Sequence, residues 1–186
     1  MKSSFIQRTF TGILFVAILV GSILFGPLSF ELLFIVITLL TLWEFLNLIN
    51  RTERIRIQKL PVMLGGGYLF VAFMLFCQGA VDGRIFVPYL FFIIYVPVSE
   101  LYLKRTTPIV NWAYSMLSQF YVALPYALLN VLAFRYVPIG NGSNYNPIIL
   151  LSVFVFIWLN DTGGYCVGSA IGKHRLFERI SPKKSW

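Results

Sequence analysis

The fold is decided by the stretch FTGILFVAILVGSILFG (residues 10–26) and by the run LSFELLFIVITLLTLWEFLNLI (residues 28–49) that follows one proline later. Each run is long enough, or nearly so, to cross about 30 Å of hydrocarbon as a helix. Gly26 and Pro27 break the apolar sequence, which predicts two spans. The first run could pass for a signal peptide, but no small-residue cleavage site follows, so we interpret it as a retained span.

The composition predicts an all-α, polytopic membrane protein. Hydrophobic residues make up 58% of the 186 residues and charged residues only 12%, whereas soluble domains carry about 25% charged residues. We interpret residues 1–186 as a single membrane domain whose last part, residues 173–186, is a cytoplasmic basic segment. The six predicted spans cover residues 10–26, 28–49, 60–81, 85–103, 109–134 and 147–172.

The lysines and arginines divide unequally between the two ends of these spans. If the N-terminus is cytoplasmic, thirteen of the fifteen lie on the cytoplasmic side, and the two exceptions are Arg84 and Arg135. The positive-inside rule describes this asymmetry, so we expect both termini in the cytoplasm. The net charge of +8 then reflects topology and attraction to anionic headgroups, and it does not point to a nucleic-acid partner.

Three of the seven acidic residues fall within the inner halves of predicted spans: Glu44, Glu100 and Asp161. Ionisable groups in a membrane are costly and usually face a cavity or a partner. Glu44 and Glu100 lie near helix ends, where each could reach water or pair with Arg51 or Lys104. These two acids therefore have an ordinary structural explanation.

Asp161 is harder to explain structurally. It precedes Lys173 by 12 residues, about 18 Å along a helix, which places it well below the cytoplasmic surface. Asn160 and Thr162 flank it with further polar groups. Three glycines follow Asp161 at four-residue spacing. Glycines at this spacing usually allow close packing between helices; the alternative is that they line a smooth groove from the Asp161 carboxylate to the cytoplasmic end of the span. The glycines that form this face are Gly164, Gly168 and Gly172.

Other polar and glycine-rich stretches have structural interpretations. The sequence LGGGYLF (residues 64–70) lacks the context of a phosphate loop, so we expect it to serve helix packing or bending. Ser115, Ser118 and Gln119 form a polar stripe that predicts hydrogen bonds between helices. Pro125 predicts a kink in the same span.

The sequence SPKK (residues 181–184) has the features of a helix start. Serine caps free amides, and proline suits the first helical position. Lys183 and Lys184 oppose the helix dipole, so they make sense if a phosphate completes the site. The alternative is a basic cluster that meets anionic lipid. A deep carboxylate on the same membrane side favours a metal with a phosphorylated substrate.

The stretch NDTGGYCVGSAIGKHRLFERISPKKSW (residues 160–186) closely resembles the phosphatidate cytidylyltransferases, the CDP-diacylglycerol synthases of bacterial inner membranes. Ser185 stands where that family has threonine, and Gly164 stands where alanine is common. The family pattern continues beyond Lys184 with a carboxylate-bearing signature, so we expect an N-terminal part of a longer enzyme that is inactive alone. The matching residues are Asn160, Asp161, Thr162, Tyr165, Gly168, Gly172, Lys173, His174, Ser181, Pro182, Lys183 and Lys184.

The resemblance implies cytidylyl transfer from CTP to phosphatidate, with CDP-diacylglycerol and pyrophosphate as products. Asp161 would then be catalytic and a ligand of Mg²⁺, with K⁺ as an optional second cation. Asn160, Thr162 and the three glycines would support it, and a homodimer is left open. The residues expected to hold the CTP phosphates are Lys173, His174, Ser181, Lys183 and Lys184.

Three alternatives stay open on the sequence alone. A CTP-dependent polyprenol or phytol kinase has a loosely similar architecture, but its acceptor is an alcohol. A transporter could use Asp161 as a proton or cation site, although transporters place polar residues and broken helices in several spans. A non-catalytic membrane protein is the third alternative.

Overall fold

The computed structural model describes residues 2–135, 144–171, 175–177 and 181–185. These residues form helices, with two short antiparallel strand pairs in addition. The chain divides into two compact units, Met1–Pro147 and Ile148–Trp186, called unit 1 and unit 2 below. The predicted all-α class is confirmed, because the strands are only two to five residues long.

Unit 1 is a set of helices joined by short connections. A 3₁₀ turn, Gly83–Phe86, leads into the fourth helix, and a π-helical turn, Gln119–Ala123, joins the fifth to the sixth. Its elements are α1 (Lys2–Phe25), α2 (Pro27–Asn50), α3 (Lys59–Cys77), α4 (Val87–Tyr102), α5 (Pro108–Ser118), α6 (Leu124–Ala133), β1 (Phe134–Arg135) and β2 (Asn144–Tyr145).

Helices lie at the positions of the six predicted spans, and the span bounds themselves stay a prediction. Within the described part of the chain, five helical segments are long and apolar enough to cross a membrane: Pro27–Asn50, Lys59–Cys77, Gly83–Tyr102, Pro108–Ala133 and Pro147–Ala170. The apolar part of α1, Phe10–Phe25, is shorter. The chain is therefore a multi-pass membrane protein, while the cytoplasmic position of its termini stays a prediction.

A single residue, Gly26, connects α1 to α2. Its φ of 132° lies where side chains cause strain, so glycine suits this position. The Ser29 hydroxyl donates to the Ser22 carbonyl across the turn at 2.6 Å. Pro27 then begins α2 at a position that has no intrahelical N–H partner to lose. The predicted break between two spans is confirmed.

The glycine-rich start of α3 allows close approach of its neighbours. A Cβ atom at Gly65 would lie 2.7 Å from the Phe92 ring, and one at Gly66 would lie 2.5 Å from the Leu42 side chain. A Cβ atom added at Gly67 would lie 3.2 Å from the Leu39 side chain. The packing interpretation of LGGGYLF is therefore confirmed: the absent side chains let α2 and α4 approach α3.

An aromatic cluster closes one end of unit 1. Phe30 packs against Phe134 and Tyr145, with ring centroids 6.5 and 6.0 Å away. The Tyr145 hydroxyl donates to the Ile23 carbonyl at 2.8 Å. Burial, and then the nearby charge of Glu31, raises the pKa of Tyr145 to about 12, so the hydroxyl keeps its proton at neutral pH. These contacts tie β2 to α1 and α2.

The polar stripe of the fifth predicted span is buried, but only part of it joins helices. Ser115 and Ser118 bond to carbonyls of their own helix, whereas Gln119 donates to the Val62 carbonyl of α3 at 2.9 Å. The interhelical prediction is thus confirmed for Gln119 only. A π turn lies just before Pro125, where proline leaves the carbonyl four residues earlier without its usual donor. The predicted kink itself stays a prediction.

Unit 2 begins with one long helix and ends in a strand pair. Its elements are α7 (Pro147–Ile171), whose first residue closes unit 1, β3 (Arg175–Phe177) and β4 (Ser181–Ser185). The helix start that the SPKK motif indicates is not formed in this structure, because Ser181–Ser185 are extended and pair with β3. Nucleating a helix over so few residues is unfavourable, whereas strand pairing gives the backbone groups partners.

Candidate functional site

The deep carboxylate of the sequence analysis lies within the continuous helix α7. Asp161 precedes Ile171, the last helical residue, by ten positions, which is about 15 Å along the axis. It follows the apolar run PIILLSVFVFIWL, and Asn160 and Thr162 stand beside it in the chain. An acidic residue at this depth in a membrane-length helix is the feature that asks for a functional explanation.

The side chain of Asp161 is exposed, as are those of Asn160 and Thr162. The depth of Asp161 along its helix is therefore not accompanied by burial within the described part of the chain. With the described residues, Asp161 forms neither an ion pair nor a hydrogen bond through its side chain. Its lone pairs are thus open to a ligand from outside the described chain.

The glycines lie where the helical spacing predicts. Asp161, Gly164 and Gly168 are three and seven residues apart in one unbroken helix, so they share a face. Gly172, the third glycine of the predicted groove, lies outside the described residues. The described part of the face therefore runs from the carboxylate for two turns toward the end of α7.

The basic half of the predicted site is described only in part. Ser181, Lys183 and Lys184 lie in β4 of unit 2, whereas Lys173 and His174 lie outside the described residues. Ser181, Lys183 and Lys184 thus belong to the same compact unit as Asp161. Their use as phosphate ligands stays a prediction.

No preformed metal cluster accompanies Asp161 in the described ranges: no three His, Cys, Asp or Glu side chains converge there. Mg²⁺ often binds through one or two carboxylates and completes its shell with water and substrate phosphates. One exposed carboxylate fits that mode of binding, but it does not make a metal site before the substrate arrives.

A second polar cluster, not predicted from the sequence, lies in unit 1 around Glu100. This carboxylate is only 4% exposed. It accepts hydrogen bonds from the Arg105 guanidinium at 3.2 Å and from the Asn111 amide at 2.9 Å. Asn111 in turn accepts from the backbone N–H of Arg56 at 3.0 Å. The cluster joins α4 and α5 to the loop between α2 and α3.

The partner of Glu100 differs from the predicted one. We expected water, Arg51 or Lys104, but α4 ends at Tyr102 and Lys104 adopts a φ of 48°. The chain thereby leaves its helical path, and Arg105 reaches back to the carboxylate. Glu44, in contrast, is exposed on α2, as its ordinary explanation requires. Glu100 is thus a satisfied structural acid.

The comparisons with known proteins agree with the motif of α7. The family model for the cytidylyltransferase family matches residues 6–186. Proteins named phosphatidate cytidylyltransferase from Haemophilus influenzae, Staphylococcus haemolyticus and Bacillus subtilis are each 26% identical to this chain over 96–97% of its length. No solved structure gives a significant match.

The matches extend far beyond the 27 residues that carry the sequence motif. They include the spans of unit 1, where the sequence resembles the family only in its several aromatic-rich spans and not in specific motifs. The chain spans 64–66% of the length of these curated relatives. Since the family model covers nearly all of this sequence, the chain belongs to the cytidylyltransferase family.

Proposed function

We propose that this chain takes part in the transfer of a cytidylyl group from CTP to phosphatidate. The family match over residues 6–186 carries the proposal. The relatives are named for the phosphatidate acceptor, and helices of membrane-spanning length suit an acceptor that resides in the bilayer. The products would be CDP-diacylglycerol and pyrophosphate.

The proposed chemistry is a displacement at phosphorus. A phosphate oxygen of phosphatidate attacks the α-phosphorus of CTP, and the bond from that phosphorus to the bridging oxygen breaks, so that pyrophosphate leaves. Such a reaction needs positioning and charge neutralisation more than covalent catalysis. We assign the holding of the triphosphate to the basic residues of unit 2. These are Lys173, Lys183 and Lys184, with Ser181 and His174 as further hydrogen-bond donors.

Asp161 is the proposed protein ligand of Mg²⁺. Its exposed carboxylate, between Asn160 and Thr162, is open to an ion that also binds substrate phosphates. When bound, Mg²⁺ supplies positive charge that stabilises the phosphate oxygens. K⁺ as an accompanying cation and a homodimer stay predictions, since no described residue is assigned to either.

The proposed site is the inner leaflet of the bacterial inner membrane. CTP would approach from the cytoplasm, and the lipid would enter sideways from the bilayer. The face of α7 that carries Gly164 and Gly168 offers little side-chain bulk between the carboxylate and the membrane surface. The large excess of basic residues on one predicted side supports this orientation.

The proposal is tested by following which labelled phosphate of CTP enters the lipid. The protein expressed from its complete natural reading frame is incubated in membranes with phosphatidate, Mg²⁺ and CTP labelled at either the α- or the γ-phosphate. We expect the α-label to enter the chloroform-soluble lipid and the γ-label to leave as pyrophosphate. Matched reactions with diacylglycerol in place of phosphatidate should give no labelled lipid.

The other outcomes identify the alternatives. Transfer of the γ-label to lipid would indicate a kinase instead. No phosphatidate-dependent labelling by a protein that is correctly inserted would contradict cytidylyl transfer. The family match and the relatives' names do not favour a kinase or a transporter.

A further inference from the structure

An apolar groove of about 480 Å³ runs between α3 and α4 of unit 1. Pro61, Leu64 and Gly65 line it on α3, and Tyr89 and Tyr95 line it on α4. The Phe92 ring of α4 packs against Gly65 of α3, where a Cβ atom would lie 2.7 Å from the ring, so the two walls of the groove meet there. Because both helices are membrane-length and apolar, the groove opens where lipid chains are the solvent.

Hydrogen bonds bridge the elements at both ends of this groove. Next to its Tyr68 end, the Tyr68 hydroxyl donates to the Ile85 carbonyl at 2.6 Å. Next to its Pro61 end, the Gln58 amide donates to the Ser99 hydroxyl at 2.9 Å. The groove therefore has fixed ends rather than being a gap between loosely packed helices.

Two loops meet just beyond the Gln58–Ser99 bond. Loop 51–58 precedes α3, and loop 103–107 follows α4. The Thr107 hydroxyl donates to the Arg54 carbonyl at 2.7 Å, and the Arg105 guanidinium donates to the Arg56 carbonyl. Arg54 and Lys104 both adopt positive φ, 69° and 48°. These bonds and turns hold the two loops together as one surface.

On this two-loop surface the exposed basic side chains outnumber the exposed acidic ones. Its only exposed acid is Glu53, and the described residues form no ion pair with its exposed cations. Arg105 is different, because Glu100 neutralises it. The exposed cations are Arg51, Arg54, Arg56 and Lys104.

We propose that the two-loop surface and the α3–α4 groove together bind one anionic glycerophospholipid of the surrounding bilayer. The phosphate headgroup would lie against the exposed cations, and one acyl chain would lie in the groove. Charge complementarity and the adjoining apolar groove favour an amphiphile: a free phosphate would leave the groove empty, and an apolar helix would leave the charges unmatched. Basic residues at a membrane surface contribute roughly 1 kcal/mol each to anionic lipid binding.

Phosphatidylglycerol is the probe that tests this site, since it is not an acceptor in the proposed reaction. Native mass spectrometry of the detergent-purified protein counts the molecules retained during lipid titration. The double variant Arg54→Gln and Lys104→Gln should weaken the tightest binding about tenfold or more. Arg84→Gln, at the opposite end of the spans and also exposed, should leave it unchanged. Phosphatidylcholine should bind at least tenfold more weakly.

Leu64→Trp tests the groove without removing charge. Leu64 is 63% exposed, so the larger side chain can occupy the groove without entering the protein core. We expect several-fold weaker phosphatidylglycerol binding with an unchanged elution volume. Full binding by this variant, or complete competition by glycerol phosphate, would mean that only a phosphate is bound. An equal loss in Arg84→Gln would mean general charge attraction. Any one of these three results would overturn the proposal.

Discussion

Glu100 in α4 and Asp161 in α7 are both acidic residues of membrane-length helices, yet their surroundings differ. Glu100 is 4% exposed and accepts hydrogen bonds from Arg105 and Asn111. Asp161 is exposed, and within the described residues its side chain has no such partner. A carboxylate that the protein itself satisfies holds the fold together, whereas one left open at membrane depth can serve a ligand. Burial therefore separates a structural acid from a candidate catalytic one.

Replacing Asp161 should have the largest effect on activity. In the protein expressed from its complete reading frame, we expect Asp161→Asn to lower cytidylyl turnover about a thousandfold, because stabilisation of charge acts mainly in the transition state. Insertion and unfolding temperature should change little, since Asp161 has no described partner to lose. Initial rates at saturating CTP, divided by the amount of inserted protein, measure the effect.

Glu44→Gln is the matched control, because Glu44 is also an exposed acid in a membrane-length helix. We expect its turnover to stay within about twofold of the unaltered protein. Near-normal turnover in Asp161→Asn would make Asp161 a structural residue, and the proposed site would then be wrong.

Glu100→Ala should lower stability rather than chemistry. The change removes the acceptor of the Asn111 amide and the charge partner of Arg105, which keeps its bond to the Arg56 carbonyl. Breaking a buried charged pair costs about 3–5 kcal/mol. We expect a loss of about 3 kcal/mol in the free energy of unfolding, measured by denaturant titration in mixed micelles.

The exposed pair of Asp82 and Arg84 provides the comparison. These groups are 3.6 Å apart with side chains 51% and 90% exposed, and exposed pairs contribute at most about 1 kcal/mol. We expect Arg84→Ala to cost less than about 0.5 kcal/mol, because it removes the ion pair and leaves the Asp82 carboxylate in place to accept from the backbone N–H of residue 84. Equal losses in the two variants would show that burial of Glu100 does not set its importance.

Gly66→Ala tests how much the close packing of α3 against its neighbours contributes to stability. The added methyl group would lie 2.5 Å from Leu42 and 3.0 Å from Ala123, and overpacking of this kind costs about 1–3 kcal/mol. We expect a loss of about 2 kcal/mol in the same unfolding titration. Gly12→Ala on α1 is the control, since no described atom lies within 4 Å of its added Cβ; no loss is expected there.

Local sequence patterns predicted the spans because hydropathy and helix breakers act over short distances. Gly26 and Pro27 separate α1 from α2 as predicted. The partner of Glu100 could not be predicted in this way. Lys104 stands four residues after Glu100, the usual helical pairing distance, but the helix ends before it and the backbone turns. Helical spacing rules stop at the helix end.

The π turn and the strand at the end of the chain show a second limit. Gln119 bonds to Val62, 57 residues away, so the buried contact beside this turn depends on how α3 packs. The motif SPKK has good helix-start residues, yet Ser181–Ser185 pair with β3 instead. For Asp161, residue type and depth identified the candidate, but its exposure depends on tertiary structure. Pairing between distant segments overrides local propensity in these cases.

The one-residue connection at Gly26 also constrains how this protein is made. With α1 ending at Phe25 and α2 beginning at Pro27, no hydrophilic segment lies between the two spans for the insertion machinery to hold. The pair is expected to enter the bilayer as one helical hairpin, because leaving either partner outside would expose its apolar face to water. Biogenesis then treats the first two helices as a single unit. Lengthening their connection by a few residues is expected to uncouple the two insertion events, with loss of the Ser29–Ser22 hydrogen bond across the turn.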